Sequence, residues 1–226
     1  MDRIRFSFSC SGKLKYISHL DMMRLFVRAL RRTGLPVAYS QGYNPHPRFN
    51  LALPLPTGAA AEEDYGEVYF DGIVKPQQFI DYLKHQLPND IKIKSAFSVD
   101  PVSPALPAEV SGAVYKALLL TGGDEYIETK IMQTALDMLM AKEEILVDYT
   151  GKKKKATKRD IRSYIYEAEI HDGEKNLLEL ILVLQAGSEG GVSPVQFLEL
   201  IRKELDTGWT ANFRWELTRK RIIFKN

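Results

Sequence analysis

The chain has 226 residues, 45% of them hydrophobic and 27% charged, with a formal net charge of +2. That balance is ordinary for a globular protein and long enough for one large or two small cores, and it carries no global basicity that would mark a nucleic-acid binder. The single cysteine, Cys10, excludes an internal disulfide and any zinc or iron–sulfur site built on cysteines alone.

The longest apolar run, "LLELILVL" at Leu177–Leu184, is far too short to span a bilayer, and "MDRIRFSFSC" carries no apolar leader. A cytoplasmic protein with no membrane partner is expected. Charge is unevenly spread. Through Gly58 the basic residues are Arg3, Arg5, Lys13, Lys15, Arg24, Arg28, Arg31, Arg32 and Arg48, opposed only by Asp2 and Asp21. An acidic stretch, "AAAEEDYGEVYFDG", follows. Further basic clusters sit at Lys152–Arg162 and in the tail "RWELTRKRIIFKN".

In chain order, "RIRFSFSC" alternates Ile4, Phe6 and Phe8 with Arg5, Ser7 and Ser9, the period of a half-buried strand. "SHLDMMRLFVRALRRTG" predicts a helix with a Ser18/Asp21 capping box, Gly34 at its end and Pro36 beyond. Its expected apolar stripe is Leu20, Met23, Val27 and Leu30, with Phe26 beside it. "PVAYS" reads as a short strand entering the loop "QGYNPHPR", and "FNLAL" as a segment that resumes pairing before "PLPTG". "DYGEVYFDG" is the next strand, "KPQQFIDYLKHQL" a helix, and "IKIKSAFSV" an alternating strand. The prolines of "DPVSPALPAEVSG" predict a linker.

The second half repeats the order more loosely. "AVYKALLLTG" is a strand, then a helix carries Ile127, Ile131, Ala135, Met138 and Leu139 on one side. "ILVDYT" and the basic loop lead to a hairpin, "SYIYEAEI" and "NLLELILVL". A helix with Ser193 as N-cap and Pro194 at its first position follows, and "TANFRWEL" and "RIIF" close the chain. The expected fold is therefore α+β: tandem ferredoxin-like plaits (βαββαβ) with antiparallel sheets. Residues 1–100 form the first domain, 101–111 the linker, and 112–226 a second domain with an extra strand.

In a plait the first and second strands run parallel, so the loops leaving them share one edge of the sheet. "SGKLKYISH" and "SQGYNPHPR" are accordingly expected to converge. They bring together Lys13, Lys15, Tyr16 and His19 with Gln41, Tyr43, Asn44, His46 and Arg48. Cations interleaved with aromatics at a helix N-terminus suit phosphates and stacked bases, which points to RNA. In the second half, Lys154, Lys155, Arg159, Asp160 and Arg162 form an outer ligand-binding surface. The plainer alternatives are a solvated arginine face on the first helix, a rigid turn at "NPHP" and a lysine-rich loop that touches nothing. Two residues suggest catalysis: His19 as base and Tyr16 near a lysine suit metal-independent cleavage of RNA. No metal-ligand set and no cofactor motif is present.

"KYISHLDMMRLFVRALRRTGLPVAYSQGYNPHPR", with "LPLPTG" at Leu53–Gly58 and "RDIR" at Arg159–Arg162, resembles the radical-SAM-linked family of uncharacterised bacterial proteins, a domain of unknown function. The resemblance implies an accessory protein that works with a radical SAM enzyme and presents RNA to it, the alternative being a protein-interaction module whose loops bind that enzyme without nucleic acid. This chain lacks the CxxxCxxC of such an enzyme, so it holds no cofactor of its own. The tandem plait also looks like the repeat-RNA endoribonucleases of CRISPR systems, but "GSEGG" at Gly187–Gly191 matches their glycine-rich loop poorly.

Overall fold

The computed structural model describes residues 2–120, 129–150, 156–173, 177–205 and 213–225. Two compact units divide the chain: unit 1 holds Met1–Ser111 and Thr218–Asn226, and unit 2 holds Gly112–Leu217. The architecture is mixed α+β with five α-helices among the described residues and mostly antiparallel pairing.

In unit 1, strand β1 (Asp2–Cys10) sits between β4 (Ile91–Ser98) and β3 (Ala60–Phe70), and β2 (Phe49–Leu51) pairs on the other side of β3. All three pairings are antiparallel; Arg5 lies opposite Glu67, and Phe49 opposite Val68. The period of β1 sends Ile4, Phe6, Phe8 and Cys10 to one face, where helices α1 (His19–Arg32) and α2 (Pro76–Lys84) cover them. The core there is aromatic. Phe26 stands 5.0 Å from Phe8 and 5.8 Å from Phe6, and Phe79 is 5.2 Å from Phe6. Gly66 faces the Phe6 ring so closely that a Cβ would run into it.

Helix α1 begins with the Ser18 half of the expected capping box. The Ser18 hydroxyl accepts the Asp21 N–H at 3.1 Å and donates to the Asp21 carboxylate at 2.7 Å. Its buried residues are Met22, Phe26, Ala29 and Leu30; Leu30 and Phe26 lie inside as expected, Met23 and Val27 are only partly buried, and Met22 and Ala29 take the central places instead. Leu20 is 57% exposed, because the spacing 22, 26, 29 turns the helix past it.

The opposite face of β1 carries Arg3, Arg5 and Ser7, all buried. Residues 101–111, expected as a linker, cover this face. They include the short helix α3 (Leu106–Glu109), whose Leu106 is fully buried. Arg3 donates to the Glu67 carboxylate at 2.6 Å and to the Ser103 carbonyl at 2.7 Å. Arg5 reaches the same Glu67 oxygen at 2.7 Å and grips Glu109 at 2.6 and 2.9 Å. Tyr69 donates to the second Glu67 oxygen at 2.9 Å. Burial pushes Glu67 upward, but the hydrogen bonds from Arg3, Arg5 and Tyr69 outweigh it and hold the group below its ordinary value. Two of the arginines that made the N-terminal half look like a basic surface are therefore neutralised inside unit 1.

Unit 2 has strands β5 (Val110–Leu120, of which Gly112–Leu120 lie in this unit), β9 (Leu178–Gln185) and β8 (Ile165–Asp172) in that spatial order, all antiparallel. A separate hairpin joins β6 (Leu146–Thr150) to β7 (Ala156–Asp160). Strand β9 buries Leu178, Leu180, Leu182 and Leu184 on one face. Helix α4 (Thr129–Met140) buries Met132, Ala135, Leu136 and Leu139, and helix α5 (Pro194–Glu204) buries Phe197, Leu198 and Ile201. Ile131 and Met138, expected inside, are 46% and 54% exposed, and Ile127 lies outside the described residues. The two closing segments form one strand, β10 (Arg214–Phe224). Its residues from Thr218 onward belong to unit 1, pairing in parallel with β3 at Ala60 and Ala61, rather than to the second domain where the sequence reading put them.

Candidate nucleic-acid interface

The chain leaves β1 through a 3-10 turn, Gly12–Tyr16, that Asp90 secures: its carboxylate accepts the Lys13 N–H at 2.9 Å and its carbonyl the Ser11 N–H at 2.9 Å. Gly12 opens the turn at φ +59, a conformation glycine adopts without strain. Lys13 is exposed. Lys15 places its ammonium 5.2 Å from the centre of the Tyr16 ring, which is 64% exposed. His19 starts α1 and is half-buried over a cleft lined by Leu14, Ile17, Met22, Leu53, Leu55 and Pro56. Burial first, and the charge of Arg219 second, push His19 below its ordinary 6.5 and favour the neutral imidazole. The cleft offers about 10 Å³, room for one water and not for a base.

The loop that meets this end is not "QGYNPHPR". It is Ala52–Gly58, which follows β2; the Gly58 N–H donates to the Lys15 carbonyl at 2.6 Å. The reason is topological. The strand parallel to β1 is "FNL", so its exit loop shares the edge with the exit of β1, whereas "QGYNPHPR" enters that strand from the other end. Expected convergence of His46 with His19 is thus corrected. Arg219 fixes the wall of the cleft. Its guanidinium grips Asp64 through two bonds of 2.6 Å and donates to the Leu53 and Pro54 carbonyls at 3.0 Å each.

"PVAYS" contributes isolated bridges, Val37 to Phe70 and Tyr39 to Pro47, rather than a strand. Between them Gln41, Tyr43, Asn44 and His46 are exposed on a loop closed by the Ser40 N–H to the His46 carbonyl at 2.8 Å and the His46 N–H to the Ser40 hydroxyl at 3.0 Å. Arg48 is half-buried with its guanidinium 4.2 Å over the Tyr69 ring.

Along α1 the exposed residues are Leu20, Asp21, Arg24, Arg28, Arg31 and Arg32. Arg24, Arg28 and Arg31 recur at the helical period and so share one stripe. Asp21 pairs with Arg24 at 3.1 Å and is the one acid among these six. At the far end, Arg31 lies 6.0 Å from the Tyr39 ring. The sequence spacing already announced this stripe, but as a solvated face; what it lacked was the matching cation–aromatic pairs at the two ends.

In unit 2, Lys154 and Lys155 lie outside the described residues. Arg159 stacks on Tyr164 at 4.6 Å and donates to its hydroxyl at 2.5 Å. Asp160 accepts the Ile145 N–H at 2.8 Å and the Arg162 N–H at 3.0 Å; those backbone bonds hold its carboxyl below the ordinary range. "RDIR" therefore builds the turn after β7, and its Asp160 carboxylate is occupied by backbone N–H groups. Among the described residues no three His, Cys, Asp or Glu side chains gather as a metal-ligand set, and no helix is long and apolar enough to cross a membrane.

Residues 3–194 match the family described as an uncharacterized protein conserved in bacteria, DUF2344, and the chain belongs to that family. No curated protein matches the sequence. Among solved structures, the chain is similar to one in the crystal structure of a Cbf5-Nop10-Gar1 complex, at 14% identity and a TM-score of 0.48; the match covers 96% of this chain and 49% of that one.

Proposed function

From the exposed face of α1, we propose that the protein is an RNA-binding accessory protein. The observation that carries the reading is the stripe of Arg24, Arg28 and Arg31, with Asp21 the one acid on the exposed face of α1 and Lys13 and Lys15 in the turn before it. Such a face serves the phosphate backbone, which dominates affinity for nucleic acid. The partner is a radical SAM enzyme, on the strength of the resemblance carried by Lys15–Asp21, Ser40–Pro47 and Leu53–Gly58. Each unit is read as a ferredoxin-like plait. The spatial order β4-β1-β3-β2 supports this in unit 1, and β5-β9-β8 with helices after β5 and β9 supports it in unit 2.

Titration of labelled RNA at several salt concentrations tests the binding. Three to four phosphate contacts give a slope of log K against log salt of about −2 to −3, and Arg28→Ala shallows it by about one contact, roughly 0.7. Affinity indifferent to both salt and Arg28 sinks the proposal.

A second reading, metal-independent RNA cleavage with His19 as base and Tyr16 nearby, draws on the downward shift of His19, which favours the neutral, proton-accepting imidazole. It predicts 2′,3′-cyclic phosphate ends formed in EDTA and lost in His19→Ala. Intact RNA after long incubation with the wild-type protein removes it.

A further inference from the structure

The arginine stripe by itself serves any nucleic-acid backbone. The aromatic groups at its ends discriminate. Near the start of α1, Tyr16 is 64% exposed, with Lys15 at one face and Leu20, 57% exposed, in the following turn. Near the end of α1, Tyr39 is partly exposed with Arg31 beside it, and Tyr43 stands wholly in solvent on a loop that two hydrogen bonds hold closed. A duplex keeps its bases stacked inside and offers a protein only its backbone and groove edges; an unpaired strand offers free base faces that stack on aromatic rings. Exposed rings and an exposed leucine beside cations are of no use to a duplex and match an unpaired strand.

We infer that the α1 face takes single-stranded RNA, laid along the helix with its phosphates on the arginine stripe and bases stacked at Tyr16 and at the Tyr39–Tyr43 end. This rests on the RNA reading above and narrows it. Helix α1 has 14 residues. At 1.5 Å per residue it is about 21 Å long, which an extended strand spans in about four nucleotides. The narrow cleft under His19 fits this arrangement, because every base stays on the rim. The closed loop at Tyr43 adds little ordering cost to the far contact.

The test is fluorescence anisotropy of the full chain with labelled single-stranded RNA of about twelve nucleotides, the same sequence as a duplex, and a length series below it. The single strand binds at least about 10-fold tighter than the duplex, and affinity falls sharply below about four nucleotides. Tyr16→Ala and Tyr43→Ala each weaken the single strand by about 5- to 100-fold and leave the duplex within about 2-fold, whereas Arg28→Ala weakens both. Tyr16→Phe keeps the ring and retains binding. These side chains are exposed, so circular dichroism of the variants should match the wild type. Equal affinity for strand and duplex, with silent tyrosine variants, overturns this inference and leaves the RNA reading standing. No affinity for either form at low salt overturns both.

Discussion

Replacing Glu67 with alanine should unfold the protein at a markedly lower temperature. Glu67 is fully buried and is the acid that Arg3 and Arg5 share; without it Arg5 keeps Glu109, but Arg3 is left with backbone carbonyls. Breaking a buried pair by removing one partner costs about 3–5 kcal/mol, because the remaining charge stays desolvated. For a chain of this length each kcal/mol lowers the melting temperature by about 2–4 °C, so a fall of about 6–20 °C is expected. The sheet face should open with it, since the same network anchors residues 101–111 through the Ser103 and Pro104 carbonyls. The pH dependence has a definite sign. Glu67 is held below its ordinary 4.5 in the folded state, so the unfolded chain binds its proton first. The stabilisation is complete above about pH 4.5 and fades as pH falls through the folded value. Thermal melts across that window, wild type against Glu67→Gln, should converge at the acid end. A Glu67→Ala melt superimposable on the wild type at pH 7 would refute the account.

Arg219→Met should be almost as costly, and it should alter His19 as well. The substitution leaves the Asp64 carboxylate, 4% exposed, without its fork, and frees the Leu53 and Pro54 carbonyls. The same buried-charge argument gives about 3–5 kcal/mol. Arg219→Lys should not rescue it, because one ammonium cannot reproduce two parallel bonds to a carboxylate and two more to carbonyls. Denaturant unfolding measures the loss. Where the variant remains folded, the titration of the His19 imidazole by NMR gives an independent readout. Burial is the larger cause of its lowered value and the Arg219 charge the smaller, so His19 should move part of the way back towards 6.5. An unchanged His19 titration in a folded variant would show that Arg219 does not act on the α1 end of unit 1.

Much of the local structure was legible from residue order alone. The alternation in "RIRFSFSC" marked β1, Ser18 and Asp21 marked the start of α1, and Pro194 after Ser193 marked the start of α5, because each signal is satisfied within a few residues. The apolar stripe of α1 was misread by one residue. With Leu20, Met22, Met23, Leu25, Phe26 and Val27 all apolar, periodicity allows two adjacent registers, and the partner sheet selects one. The three prolines of "DPVSPALPAEVSG" suit a linker. Its hydrogen-bonding carbonyls and the buried Leu106 make it instead the lid on Arg3 and Arg5.

Residue order is enough to mark this chain as a mixed α+β protein and to show that its N-terminal half concentrates cations around one amphipathic helix. It does so because composition, capping and periodicity are properties of neighbouring residues. Which of those cations face water depends on partners distant in the chain. Arg3 and Arg5 find acids more than sixty residues away, at Glu67 and Glu109, while Arg24, Arg28 and Arg31 stay on the surface. Tertiary structure also sets which loop accompanies Lys15 and His19. That choice followed from which segment pairs with β3, and a short strand such as Phe49–Leu51 is too brief to announce its pairing in advance. Long-range partners decide burial, and burial decides whether a charge holds the fold together or meets a ligand.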